Sequence, residues 1–461
     1  MKKLVLLLLL CLLTGLAYAD DSFQFNGYIK NELGLRTRDQ NYLQKNKDII
    51  QLAGQYNIKG DELVFFAKVK YYYDFAYEKD KLDKAGHYME HIQRTEWLRD
   101  LYLDYNNNPW FLRLGKQQVA WGQADGINVL DRVNPPDLRE YWLPDIVDIR
   151  IPLWMLNINY APKLDSNLQL LVIPDFEESQ GAPIGGPFTI RAYTIFDNTM
   201  KQFATSYWDI NQHFPGRRLN HSTYGLQWSD RIADTDYTLN FLYGPYPTAR
   251  NTTTYIAGVP TPAGSFIVAR DYKLWRVYGG SFNRTFTNPG PLQGTTLRGD
   301  FAWYNDEPTY YGDPAIGKPY GFARWDNKFW LIGVDKYIVT KWLLSFQYAQ
   351  YIMEHKLAND PTQPASRRFA MNGYTYGAQD PVENIFAIKI STDFLNQRLK
   401  PEFSWSFTDD PQGKVSPKLS YEINDNLLFT LGWHYFYGKP SESNGQFSQQ
   451  NQVYTQLKYS F

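Results

Sequence analysis

The stretch WGQADGINVLDRVNPPDLREYWLPDIVDIRIPLWM, residues 121–155, packs six acids, three arginines and the adjacent prolines Pro135 and Pro136 into one connection. Asp125, Asp131, Arg132, Asp137, Arg139 and Glu140, with the polar Gln123 beside them, could rim an opening with charges of both signs. Such a rim creates a transverse field, which sorts solutes by charge and dipole. Trp121, Val129, Leu130, Trp142, Leu143, Ile146 and Ile149 are too bulky and apolar for a disordered tail, so the segment must pack against something. Connections beyond roughly 12–15 residues that remain ordered are usually functional.

Other chemistries fare worse. The best pairing for nucleophilic catalysis sets His434 beside Thr430 and Ser420, but hydrolysis or acyl transfer also needs a third group to orient the base. A single histidine among hydroxyls reads as a hydrogen-bonded polar residue, and no catalytic role is expected. His87 and His91, with Glu90 between them, could share one helical face. Without a cysteine or a third ligand they do not make a metal site. Asp306, Glu307 and Asp313 in YNDEPTYYGD lack the alternating acids and central glycine of a calcium loop and are expected to be solvated. No glycine-rich phosphate loop is visible, and no cofactor is expected.

The elements that must position the charged stretch are short and alternate in polarity. Segments of this kind fall near 23–36, 47–58, 62–75, 96–105, 110–120, 152–160, 167–173, 222–229, 235–244, 269–283, 292–305, 325–338, 341–353, 382–393, 396–407, 413–424, 426–437 and 450–461. They predict an all-β chain: an antiparallel transmembrane barrel of about eighteen strands, with sixteen to twenty open. Every second connection is a tight turn, such as IKGDE, NNNPW, APKLDS, SDRIAD, VTK, LNQ and NDN. The others are long, at 76–95, 121–151, 174–221, 245–268, 306–324 and 354–381. Tight periplasmic turns and long outer loops are the polarity of bacterial outer-membrane barrels.

Alternation then assigns faces. Phe23, Phe25, Ile29, Leu33 and Leu35 should meet lipid, as should Phe65, Tyr71 and Phe403. Lys30, Glu32, Lys68, Lys70, Arg113, Arg298, Lys389, Arg398, Lys400 and Glu402 should point into a polar lumen, since charge on the lipid face costs about 2–4 kcal/mol near mid-bilayer. The 121–151 segment is expected to fold back into that lumen as a constriction loop.

Composition agrees. Aromatics make up 17% of the 461 residues, with 36 Tyr, 28 Phe and 14 Trp, while a formal net charge of −1 gives no electrostatic case for nucleic acid. Such an aromatic load suits the girdles at the two membrane interfaces. The chain opens MKKLVLLLLLCLLTGLAYAD, a basic, apolar, then small-residue pattern that predicts a signal peptide over 1–19, removed near Ala19. The only cysteine, Cys11, lies within it, so the exported chain can form no disulfide. The chain ends QVYTQLKYSF, with Val453, Leu457, Tyr459 and Phe461 on one face. A terminal phenylalanine closing such a strand, here Phe461, is the kind of signal that barrel-insertion machinery reads. The predicted location is the Gram-negative outer membrane, among its lipids.

The central motif also resembles a known signature. Trp121, Gly122, Asp131, Asn134, Pro135, Asp137, Leu138, Arg139, Ile151, Pro152 and Trp154 match a family of uncharacterised proteobacterial outer-membrane proteins, a domain of unknown function near the alginate-export barrels. Gln123 stands where that family has an acid or lysine. The resemblance implies a monomeric porin-like barrel, with an inner-membrane exporter as a possible partner. The expected function is therefore a channel for a polar or amphiphilic solute, narrowed by 121–151. Two readings compete: a receptor or adhesin using the long outer loops, and an outer-membrane lipid-modifying enzyme.

Overall fold

The computed structural model describes residues 22–38, 43–77, 97–182, 186–190, 207–213, 215, 219–248, 250–255, 266–313, 318–354, 369–371 and 381–461. The predicted signal peptide and the His87–Glu90–His91 cluster lie outside them. Eighteen antiparallel strands close into one barrel. The first six are β1 (Phe23–Arg36), β2 (Leu43–Asp61), β3 (Leu63–Asp74), β4 (Leu98–Asn107), β5 (Trp110–Gln117) and β6 (Leu153–Lys163). There follow β7 (Ser166–Ile173), β8 (Thr223–Ile232), β9 (Thr235–Pro245), β10 (Leu274–Thr285), β11 (Thr295–Asp313) and β12 (Lys318–Val339). The last six are β13 (Trp342–Ile352), β14 (Val382–Ser391), β15 (Leu399–Thr408), β16 (Gly413–Glu422), β17 (Leu427–Tyr437) and β18 (Gln452–Ser460).

Period-two sequence builds these strands inside out relative to a soluble sheet. In β1 the apolar Ile29, Leu33 and Leu35 are exposed on the outer face while Glu32 is buried. Leu226, Leu239, Phe301 and Ile332 extend the same apolar belt around the barrel. No helix among the described residues is long and apolar enough to cross a membrane. Closure joins the two ends of the barrel sheet: β18 pairs with β1 from Tyr28↔Ser460 to Arg36↔Gln452. Gly27 and Phe461 then exchange both backbone bonds, at 2.9 and 3.0 Å.

The short turns fall at one end, as the sequence predicts. Between β8 and β9, Ala233 and Asp234 take φ of 48° and 62°, the paired positive values that a two-residue hairpin turn requires. Four of the expected loops hold strand. The connection at 306–324 is instead mostly strand, because β11 and β12 stay paired from Glu307↔Trp325 out to Asp313↔Lys318 beyond a bulge at Tyr304/Glu307. The short strand Phe369–Met371 adds to that extension by pairing with Tyr310–Gly312. The long connections at 174–221 and 245–268 also hold regular structure: strand Phe266–Asp271 pairs with both Tyr207–His213 and Arg250–Tyr255.

Candidate functional site

The 121–151 segment leaves the barrel after β5 and returns into β6, and one buried side chain ties its two ends together. Asn134 accepts a bond from the Val119 amide at 2.8 Å and donates to the Ile151 carbonyl at 2.8 Å. Alongside it, the Ile151 amide donates to the Pro135 carbonyl at 2.9 Å, and Pro136 bridges to Arg150. The two prolines therefore stiffen the base of the segment rather than its tip.

From that base the first half runs against the inner wall. Trp121 is buried and its indole donates to Gln169 on β7 at 2.9 Å. The amides of Gln123 and Ala124 both donate to the Asp300 carboxylate on β11, at 2.8 and 3.0 Å. Gly122 makes this turn with a φ of +93°, and a Cβ there would meet Asp300 at 2.7 Å, so glycine is required on two counts. Arg298 donates to the Gln123 carbonyl, and Gln347 on β13 donates to that of Asp125.

Beyond this clamp, Val129, Leu130 and Val133 enter a buried cluster with Trp275, Val277, Tyr304, Phe329 and Leu331 of β10–β12. Burying each aliphatic side chain contributes roughly 1.5–3 kcal/mol, enough to hold the segment without any outside partner. The Tyr304 hydroxyl donates to the Val129 carbonyl at 2.5 Å and accepts from Arg132 at 3.1 Å. This side of the lumen is solid.

The second half reaches the opposite wall through its charges. Glu140 sits between the ammonium groups of Lys45 and Lys47 on β2, hydrogen-bonded to both. Lys45 also reaches Glu32, which pairs with Lys30 at 2.8 Å. Asp148, on the one-turn helix Ile146–Ile149, pairs with Lys70 on β3 at 2.5 Å. Arg99 on β4 closes the end of that turn by donating to the Arg150 carbonyl at 2.6 Å. Burial alone would raise the carboxyl pKa of Glu140, but the two lysines outweigh it and hold the group well below the ordinary carboxylate range. Lys70 does the same for Asp148, again against burial.

Between segment and wall lies a cavity of about 1100 Å³. Its charges are segregated. Eight described strand residues lining it are basic (Lys30, Lys45, Lys47, Lys70, Arg99, Lys116, Lys414 and Lys418) against three acids, Glu32, Asp74 and Glu402. The segment presents Asp137, Glu140, Asp145 and Asp148 against the single Arg139, and Glu177 and Glu178 of the next connection join the acids.

The residues named from sequence divide accordingly. Lys30, Glu32, Lys70, Asp137, Arg139, Glu140 and Glu402 border the cavity. Asp131 and Arg132 do not: Asp131 pairs with Arg150 at 2.7 Å and Arg132 is spent on Tyr304, so both serve the packed side. Asp125 projects toward Lys389, 3.6 Å away, and Lys389 in turn reaches Glu402 at 3.5 Å. Lys68 pairs with Asp100 at 2.6 Å, and Arg113 holds Asp104 at 2.7 and 2.8 Å while lying over the Tyr102 ring. Arg298 is taken up by Asp335 as well as Gln123. Arg398 and Lys400 lie at the short-turn end, exposed, with Lys400 on Glu422 at 2.5 Å.

One further expectation fails. Glu307 is not solvated but accepts from Asn327 at 2.7 Å and Tyr351 at 3.0 Å, because the β11–β12 extension carries it inward. His434 is hydrogen-bonded to a hydroxyl, that of Ser416 at 3.1 Å, while Ser420 and Thr430 bond to each other rather than to it. Lys45, Lys47, Arg99 and Lys414 were not identifiable in advance; only their inward parity was readable, not their height beside the segment.

Known structures share the architecture. The crystal structure of Acinetobacter baumannii OccAB4 aligns over 95% of this chain and 98% of its own, at 10% identity and a TM-score of 0.51. Pseudomonas aeruginosa OccK11 (OpdR) covers 96% of each chain at 10% identity and a TM-score of 0.49. The outer membrane channel DcaP of Acinetobacter baumannii covers 95% of this chain and 97% of its own, at 11% identity and a TM-score of 0.42. At such identities the likeness to OccAB4 is one of fold, that of an outer-membrane porin-type barrel. No curated protein matches. A family model described as "Protein of unknown function (DUF1302)" matches residues 37–461, and the chain belongs to that family.

Proposed function

We propose that the protein is a porin-like channel of the Gram-negative outer membrane, passing a polar or amphiphilic solute through the cavity beside the 121–151 segment. That segment is the constriction. The carrying observation is a cavity of about 1100 Å³ bordered by a mainly basic wall and a mainly acidic segment, which meet at its rim in the ion pairs of Glu140 with Lys45 and Lys47 and of Asp148 with Lys70. Two sheets of opposite charge orient a dipole between them and discriminate against solutes that cannot align. The chain reaches the membrane by export, with cleavage near Ala19, and is inserted by machinery that reads Phe461. It works as a monomer without catalysis or cofactor, and an inner-membrane exporter is a fitting partner.

The test is conductance in a planar bilayer, comparing the mature chain with a variant whose residues 124–148 are replaced by a short Gly-Ser turn. The intact chain should pass a modest current. The variant should pass a larger one with altered ion selectivity. Equal conductance in both would remove the constriction role, and silence in both would sink the channel.

A further inference from the structure

Proline in the middle of a strand removes a ladder donor and is normally confined to sheet edges or bulges. Pro417 stands in the middle of β16, away from any edge. The β16–β17 ladder is paired through Val415↔Tyr435 and resumes at Lys418↔Gly432 in unchanged register. Ser416 and Pro417, opposite His434 and Trp433, drop out of it. The tie that remains at this point is a side-chain one, the 3.1 Å bond between Ser416 and His434 on the inner face.

Both sides of the wall are hollow here. Outside, a groove of about 590 Å³ is lined by Pro401, Phe403, Pro417, Leu419, Leu431 and Trp433. Its volume falls in the range, roughly 300–1000 Å³, that accommodates small-molecule ligands. The groove is continuous with the exposed apolar belt, to which Phe403, Leu419, Leu431 and Trp433 also belong, so its natural occupant is an acyl chain. Inside, the main cavity reaches the same strands, and Glu402 and Lys418 border both spaces. Gly432 adds only backbone to the wall, covered within by the ring of Tyr454, where a Cβ would collide at 2.4 Å.

The inner face at this seam is built for a head group. Lys414 donates to the Trp142 carbonyl at 3.2 Å, and no carboxylate among the described residues pairs with it. Lys418 pairs with Glu402 at 3.0 Å, and the hydroxyls of Ser416, Ser420 and Thr430 line the space between.

We propose that the β16–β17 seam at Pro417 is a lateral portal, through which a single-chain amphiphile with an anionic head exchanges between the lumen and the bilayer. The head lies against Lys414 and Lys418 while the tail occupies the outer groove. This rests on the channel reading and adds a second, sideways path to it.

The test locks the seam. In the mature chain, which has no other cysteine, Ser416→Cys with His434→Cys places two thiols opposite each other on adjacent strands. Single-channel current in KCl is recorded with sodium dodecanoate, or with sodium butyrate as a head group lacking the tail. Under oxidation, block by dodecanoate should be lost and should return with dithiothreitol, while butyrate block stays the same in both states. Recovery on reduction shows that the variant has folded. Pro417→Ala, which restores the missing donor, should weaken dodecanoate block without any redox step. Dodecanoate block that is equal in the oxidised and reduced states overturns the portal and leaves the pore intact. A wild-type chain that carries no current takes both down together.

Discussion

Asn134 and Glu140 hold the segment by different means, one at its base and the other against the β2 wall. Asn134 satisfies backbone groups on both strands entering the loop, and its removal leaves buried donors and acceptors without partners. Asn134→Ala should therefore lower stability by about 2–4 kcal/mol, each orphaned group costing about 1–3. Thermal unfolding of the detergent-solubilised barrel reads that loss directly. Glu140 instead bridges two lysines beside the cavity, where hydrogen bonds to charged groups contribute about 1.5–3 kcal/mol. Glu140→Gln should move the reversal potential in a KCl gradient toward anion preference. The pH response follows from the sign of its shift. A carboxyl whose pKa is lowered by folding stabilises fully above its unfolded value and loses that contribution only as pH falls through the lowered one. Reversal potential in the wild type should accordingly hold steady from neutral pH down to about pH 4, the unfolded carboxylate range. A sigmoidal change centred at pH 5–6 that Glu140→Gln abolishes would mean that Glu140 is not held as described.

The eighteen strands were legible because each carries its own signal, alternation bounded by a turn that needs Gly, Asn, Asp or Pro. The β11–β12 extension was not, because YNDEPTYYGD is polar and proline-bearing, like a loop, and is held as strand by pairing with β12 rather than by its own composition. The segment's position was half legible. Its apolar residues demanded burial and its charges forbade lipid, which together point inward. Which charges would face water was not readable, since Arg132 meets Tyr304 from 172 residues away and Asp300 clamps Gln123 from 177. No local pattern encodes a contact at that separation. The two halves of the segment should also differ in dynamics. Backbone amides in 123–134 are clamped or lie within the packed cluster, whereas 140–146 rests on side-chain ion pairs beside water. Hydrogen exchange followed by mass spectrometry should find the first stretch markedly slower than the second. Equal rates would mean that the packed cluster does not anchor the segment.

The whole molecule is a closed wall with lipid outside and, within, one filled side and one wet side. Its outer belt predicts a depth-dependent penalty: Leu239, 62% exposed and mid-strand on β9, should cost about 2–4 kcal/mol when replaced by arginine. Folding titrations into lipid vesicles would measure it, and a neutral result would show that β9 does not face the bilayer. The split interior has a different kind of consequence. The aliphatic side chains that bolt the segment down, Val129, Leu130 and Val133, share a buried cluster with side chains of β10–β12, whereas the charges beside the cavity, among them Lys30, Lys45, Lys47 and Lys70, stand on β1–β3. Changes among the second set need not disturb the first. Relatives built on this plan are free to drift in what they admit while inheriting one scaffold, and the wet half is where a new specificity would be written.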